Sequence, residues 1–214
     1  MRQLKLLGIG TLTSLEIFVL TLVFSLPLGL LVAFGRMSRN KIVSTVIKAY
    51  ILVMRGTPLM LQLIFIYFAP SYMLPESLKI NLDRFVAAII AFSLNYAAYL
   101  AEIYRAGIES IALGQYEAAA VLGFTKSQTF FRIILPQVIK RILPPVGNEV
   151  ITLVKDTALV TTLGISELFR AARNESARIS STTPLFIAGV FYLIMNYVVT
   201  KVFDMLEKKL SYYR

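Results

Sequence analysis

The stretch with most polar side chains inside an apolar run is Asn148-Glu149-Val150-Ile151-Thr152-Leu153-Val154-Lys155-Asp156-Thr157. Glu149 and Asp156 are seven residues apart, so a helix places both on one face with Thr152 between them. A charge at the centre of a membrane helix costs about 2.5–3.5 kcal/mol even on the mild insertion scale, so such residues face a cavity or a partner. The chemistry available to this face is electrostatic: it can hold a cationic group, such as an ammonium. Asn95, near the middle of another apolar run, either adds a hydrogen bond in the same cavity or ties helices together. Lys155 and Asp156 have a second reading as a salt bridge or anchor near the outer membrane interface. Arg55 likewise reads either as a contact in the path or as an interfacial arginine beside a helix start.

Covalent chemistry has little to work with. The chain has no histidine and no cysteine, which removes the usual general base, thiol nucleophiles and the commonest metal ligands, so no metal site is expected. Glu117 has no partner carboxylate at workable spacing, so no catalytic residue is assigned. No GxxxxGK[ST] segment is present, so ATP cannot bind here through a P-loop.

The elements that position these residues are membrane spans. The chain is 57% hydrophobic and only 16% charged, against roughly 25% charged in soluble domains. A span needs roughly 20 mostly apolar residues. The pattern predicts an all-α polytopic membrane protein, a single domain over 1–214, with five spans at about 11–35, 57–73, 85–108, 136–163 and 184–205. Pro27 and Gly29 are expected to bend the first. Residues 41–54 read as an interfacial or tilted lead-in, after which Thr57 as N-cap and Pro58 in the first turn start a fresh helix. The third span is rich in alanine, which permits close helix approach. Pro144, Pro145 and Gly147 are expected to interrupt the fourth, and a short amphipathic helix is expected within 166–181. Tyr67, Tyr72, Tyr192, Tyr197, Tyr212 and Tyr213 read as interface-belt residues.

Basic residues orient the bundle. With the N-terminus outside, twelve Lys and Arg fall in cytoplasmic segments and seven in outer ones, which favours N-out, C-in. The net charge of +10 therefore reflects loops facing anionic lipid, with no nucleic-acid partner expected.

Residues 109–135 form a long cytoplasmic loop, too polar to be a span. Within it, 115–122 forms about two helical turns, Gly123 ends them with a positive φ, and Thr125 with Gln128 forms a capping box. Pro136 then starts the next helix. The segment Glu117-Ala118-Ala119, with Gly123 after it and then Ile133-x-Leu135-Pro136, resembles the EAA loop of bacterial ABC-importer permeases. The Arg55-Gly56-Thr57-Pro58-Leu59 segment resembles the polar amino-acid branch of that family. The resemblance runs through most of the chain to the fourth span.

The resemblance implies a type I permease fold in the bacterial cytoplasmic (inner) membrane. It implies that the loop docks on a separate ATPase subunit, which holds the ATP and magnesium, leaving no cofactor in this chain. It also implies an extracytoplasmic binding protein and a second permease subunit, identical or a sister chain. The substrate would be a polar amino acid. The acids at 149 and 156 lean toward a basic one, with glutamine or another polar amino acid as the alternative. Two other classes remain for comparison. A membrane-embedded enzyme would form product without ATP, and a passive channel would not accumulate substrate against a gradient.

Overall fold

The computed structural model describes residues 2–73, 75 and 81–210. Glu76, Lys79, Tyr212, Tyr213 and Arg214 lie outside that set. The helices are α1 (Arg2–Arg36), α2 (Lys41–Gly56), α3 (Leu59–Met73), α4 (Arg84–Glu109), α5 (Leu113–Val121), α6 (Lys126–Thr129), α7 (Leu135–Asp156), α8 (Leu168–Ile179) and α9 (Thr183–Leu210). A π-helical turn, Phe130–Ile134, joins α6 to α7, and a 3₁₀ segment, Thr157–Leu163, follows α7. Among the described residues there is no strand.

α1 begins nearer the N-terminus than the apolar run suggested, and it continues through Pro27 without a break. At 1.5 Å per residue it is about 50 Å long, more than a bilayer core. Its buried residues recur every three or four positions (Leu7, Gly10, Ser14, Ile17, Thr21, Ser25, Gly29), forming one stripe. That stripe makes the most extensive helix pairing in the molecule, against α4. The approach is close because both faces are small: Ala87, Ala88, Ala91, Ala97, Ala98 and Ala101 are fully buried on α4. A Cβ on Gly29 would come within 2.9 Å of Leu100 Cβ.

The opposite faces are apolar and exposed. Leu12, Val23 and Leu31 on α1 and Phe186, Leu193 and Ile194 on α9 all stand more than half exposed. A surface of that kind is stable in lipid or under a partner and not in water. α1, α4 and α9 are each long and apolar enough to cross a membrane, and α2 with α3 forms a fourth such unit bent by 112°. α7 carries Lys140, Arg141, Glu149, Lys155 and Asp156 and is the most polar of the long helices.

The bend between α2 and α3 shows how the local chemistry differs from expectation. Thr57 does not cap α3. Its hydroxyl turns back to donate to Val53 O (2.8 Å), and its backbone N–H donates to the same carbonyl, so it closes α2 instead. Pro58 O accepts the first bonds of α3, from Leu61 N and Gln62 N, which makes Pro58 the capping position. α2 itself is amphipathic. It starts on an Asn40 cap, whose Oδ1 accepts from Ile42 N at 2.9 Å, and it packs Ile51 against Val32, Ala33 and Ala98.

α7 also departs from expectation. Pro144 and Pro145 sit inside it, and the helix continues through both and through Gly147. Two prolines remove the N–H groups that would bond the carbonyls of Lys140 and Arg141. Arg141 and Pro145 line a polar cleft, where freed carbonyls are tolerated. Gly147 is a contact rather than a break: a Cβ there would meet the Phe203 ring at 2.8 Å. Beyond Asp156 the helix tightens to 3₁₀ and stops at Gly164, whose φ of +85° favours glycine. Of the tyrosines assigned to an interface belt, Tyr72 and Tyr197 are exposed, whereas Tyr192 donates inward to Glu167 (3.1 Å).

The helices give the bundle two ends. One carries the starts of α1, α4 and α9 together with α8, which lies against Leu7 and Gly10 of α1. The other carries α5, α6, the start of α2 and the end of α9.

Candidate functional site

A cleft of about 510 Å³ opens between α2, α4 and α7 and is lined by Arg55, Tyr99, Glu102, Arg105, Arg141 and Glu149 among others. Its lining is rich in charge. A second groove, about 470 Å³ between α1 and α4, is walled by Leu20, Phe24, Phe85 and Ile89 and offers no charge. Glu149 reaches the polar cleft from α7 and is half-buried. Arg55 reaches it from the last turn of α2, with its guanidinium 5.1 Å from the Tyr99 ring centroid. That stacking contributes about 0.5–2 kcal/mol, depending on how dry the site is. One cleft therefore presents both an acid and a base.

Arg55 is where it is because of the elbow behind it. Gln62 Nε2 donates to Met54 O (2.9 Å), Thr57 O (3.1 Å) and Thr57 Oγ1 (2.8 Å). Asn95 Nδ2 donates to Met54 O (3.0 Å) and to Gln62 Oε1 (2.9 Å). Asn95 and Gln62 are both buried. Asn95 thus has both amide hydrogens committed to the elbow and is not brought into the cleft with Glu149.

Asp156 sits at the end of α7, about 10 Å along the helix from Glu149. It accepts a hydrogen bond from Tyr96 Oη at 2.7 Å. Thr152 is exposed, and its hydroxyl donates to Asn148 O (2.9 Å). Lys155 is exposed, with no ion pair among the described residues. α4 also brings an ionic chain to the cleft through Glu102 and Arg105. Arg105 pairs with Glu102 (2.6 Å) and Glu109 (2.5 Å), and Glu102 also meets Arg36 of α1 (3.7 Å). The pairing of Glu102 with Arg105 was readable from their spacing. The stacking of Arg55 on Tyr99 and the Tyr96–Asp156 bond were not, because they join segments 44 and 60 residues apart; the only hint was two tyrosines within an alanine-rich helix.

The loop at the other end folds much as its punctuation indicates. α5 closes with paired bonds, Phe124 N to Ala119 O and Gly123 N to Ala120 O, around Gly123 at φ +77°. The Thr125–Gln128 capping box is complete. The second short helix is not separate, however: α6 passes through the π turn directly into α7. Pro136 lacks the N–H for an α bond to Arg132 O, and Leu135 N instead reaches Phe130 O, one residue further back.

α5 is anchored from beneath. Ala119 is 1% exposed, Tyr116 packs on the cluster of Ile111, Ile134 and Val138, and Gln137 reaches Gln115 at 3.3 Å. Ile133 belongs to the same cluster, Leu135 is half-buried and Pro136 is exposed. The outer face then shows Leu113, Glu117 and Val121, spaced four apart, with Ala118 and Leu122 beside them. Val121 is 88% and Leu122 74% exposed. Exposed apolar side chains grouped in this way stand out on an otherwise polar loop. Of these, Glu117 and Ala118 belong to the segment that carries the family resemblance, whereas Leu113, Val121 and Leu122 carry no sequence signal of their own.

A bundle of membrane-length apolar helices with a polar cleft and an exposed apolar stripe at one end has the form of a membrane transport subunit. The family described as "Binding-protein-dependent transport system inner membrane component" matches residues 25–212, and the chain belongs to it. The chain is 37% identical over 206 residues to the L-cystine transport system permease protein TcyB of Bacillus subtilis (strain 168), covering 95% of this chain and 86% of the relative. It is 38% identical to the arginine transport system permease protein ArtQ of the same organism, covering 94% and 91%. Its fold is similar to a solved amino acid ABC transporter with histidines, with a TM-score of 0.86 and 34% identity over 96% of this chain and 94% of that one. The protein is accordingly an inner-membrane permease subunit of an amino-acid ABC importer with the type I fold. It is a transport component rather than an enzyme, and ATP hydrolysis belongs to a separate subunit.

Proposed function

We propose that this permease carries basic amino acids, arginine-like substrates foremost, through the cleft between α2, α4 and α7. The observation that carries the reading is the placement of Glu149 and Arg55 in one cleft. A free amino acid brings a cationic and an anionic group. Glu149 receives the cation, the Arg55 guanidinium receives the carboxylate, and Tyr99 holds Arg55 in place. Asp156, released from Tyr96, serves a second cationic group further along α7, with Thr152 on the same face. Asn95 acts on the site through the elbow.

In this reading α1, the α2–α3 unit, α4, α7 with its 3₁₀ extension, and α9 are the five spans, with the N-terminus outside. The basic residues near α5 and the start of α2 favour that end as cytoplasmic. The α5 stripe and residues 117–136 dock on the ATPase, which binds ATP and magnesium. The exposed apolar faces leave room for a second permease chain, and two-fold pairing would close the cleft into a pathway. An extracytoplasmic binding protein delivers the substrate.

Glutamine or another uncharged polar amino acid is the second reading, favoured by the pairing of one acid, Glu149, with one cation, Arg55, which satisfies any zwitterion, while Glu102 and Arg105 of the same lining are bound to each other. Uptake kinetics in reconstituted vesicles separate the two. Glu149→Gln is expected to raise the apparent KM for arginine at least tenfold and to spare folding. An unchanged KM would exclude Glu149 as the cation contact.

A further inference from the structure

The end of the bundle opposite α5 carries three guanidinium groups, of which Arg170 feels the buried Glu167 carboxylate on its own helix and Arg84 and Arg173 have no ion pair among the described residues. Gly164 lies between two of them: a Cβ there would sit 2.9 Å from Arg84 Nη1 and 3.3 Å from Arg170 Nη1. Arg173 follows Arg170 by three residues on α8, on the same helix face. Arg84 and Arg173 are exposed and Arg170 is half-buried. Arg170 Nη1 donates to Thr161 O (3.1 Å), and Arg84 Nε lies 3.4 Å from Tyr67 Oη. Like charges held this close are costly unless an anion arrives.

The acids at this end are engaged elsewhere. Asp83 caps α4, accepting from Phe85 N at 2.8 Å. Glu167 is fully buried and caps α8, accepting from Phe169 N (2.6 Å) and Arg170 N (2.7 Å). Glu175 is buried and grips Arg178 through two bonds (2.7 and 2.6 Å), which hold its carboxyl below the usual carboxylate range. Glu16 is exposed on α1, closer to the membrane interior. Arg2 and Lys5 add further exposed positive charge.

We propose that Arg84, Arg170 and Arg173 form the docking patch for the extracytoplasmic binding protein, which meets them with surface carboxylates. This rests on the importer reading and gives its outer partner a chemistry. The family is binding-protein-dependent, and the patch lies at the end remote from the ATPase-docking helix. Arginine forks match carboxylates bidentately, so the patch sets register as well as attraction. Charge at such a rim acts on encounter and weakens with salt.

The test uses the full permease–ATPase complex in nanodiscs of phosphatidylcholine, and in a second set with added phosphatidylglycerol. The arginine-loaded binding protein is titrated for both binding and ATPase stimulation. The variant is Arg84→Gln with Arg173→Gln, leaving Arg170 to its carbonyl. Its Kd for the binding protein is expected to rise about fivefold, with basal ATPase and maximal stimulation unchanged and the salt dependence flattened. An unchanged Kd overturns the proposal. An effect present only with phosphatidylglycerol assigns the patch to lipid headgroups and also overturns it. Charge-sensitive binding with no stimulation by arginine-loaded protein supports the docking patch and counts against the basic-amino-acid reading instead.

Discussion

Asn95 decides between two roles that one substitution separates. Asn95→Ala removes the donors to Met54 O and Gln62 Oε1. Interhelical hydrogen bonds in membranes average about 0.6 kcal/mol, so the direct loss is about 1 kcal/mol. Gln62 is 8% exposed, and its orphaned oxygen adds about 1–3 kcal/mol. The expected destabilisation is therefore about 2–4 kcal/mol, a drop of several degrees in Tm by thermal unfolding of the purified complex. A Gln62→Ala partner completes a double-mutant cycle, with coupling of about 2–3 kcal/mol expected, since both the shared bond and the orphaned oxygen belong to the pair. Because in the proposed reading the elbow acts on the site only through Arg55, affinity should fall alike for arginine and glutamine. A variant with unaltered Tm and affinity lost for only one substrate would refute the bracing role and put Asn95 in the pathway.

Glycine contacts give a second, paired prediction. Gly10→Ala would set a Cβ 2.9 Å from Leu168 Cα and 3.0 Å from Leu168 N, backbone that cannot rotate away, and should cost about 1–3 kcal/mol in thermal unfolding. Gly8→Ala meets nothing within 4 Å and should be neutral or stabilising by up to about 1 kcal/mol, so equal losses at the two sites would contradict the packing. At the loop, Gly123→Asp forces a side chain onto a φ of +77° in otherwise open space. It should leave the protein in the membrane while uncoupling ATP hydrolysis from uptake, measured in reconstituted vesicles; normal coupling would count against α5 as the transmitting helix.

Much of the fold could be read from local pattern. Gly123, Thr125 and Gln128 act within a few residues of themselves, so their conformations followed from their types. The small residues of α4 likewise announced a close helix contact. What escaped depended on tertiary context. Thr57 is a good N-cap by type, yet its hydroxyl serves the preceding helix because Gln62 and Asn95 crowd the elbow. Pro144 and Pro145 break most helices, yet here their freed carbonyls border a polar cleft. Of the candidate site, Glu149 was visible as an acid at membrane depth. The base beside it came from a different span, and no spacing rule joins Arg55 to Glu149.

The assignment of the cleft to basic amino acids stands or falls on the ATPase activity of the purified complex, stimulated in turn by binding protein loaded with arginine and with glutamine. Strong stimulation by arginine and little by glutamine is the predicted result, and it should weaken in Glu149→Gln. Equal stimulation by both would contradict the assignment of the cleft to basic amino acids.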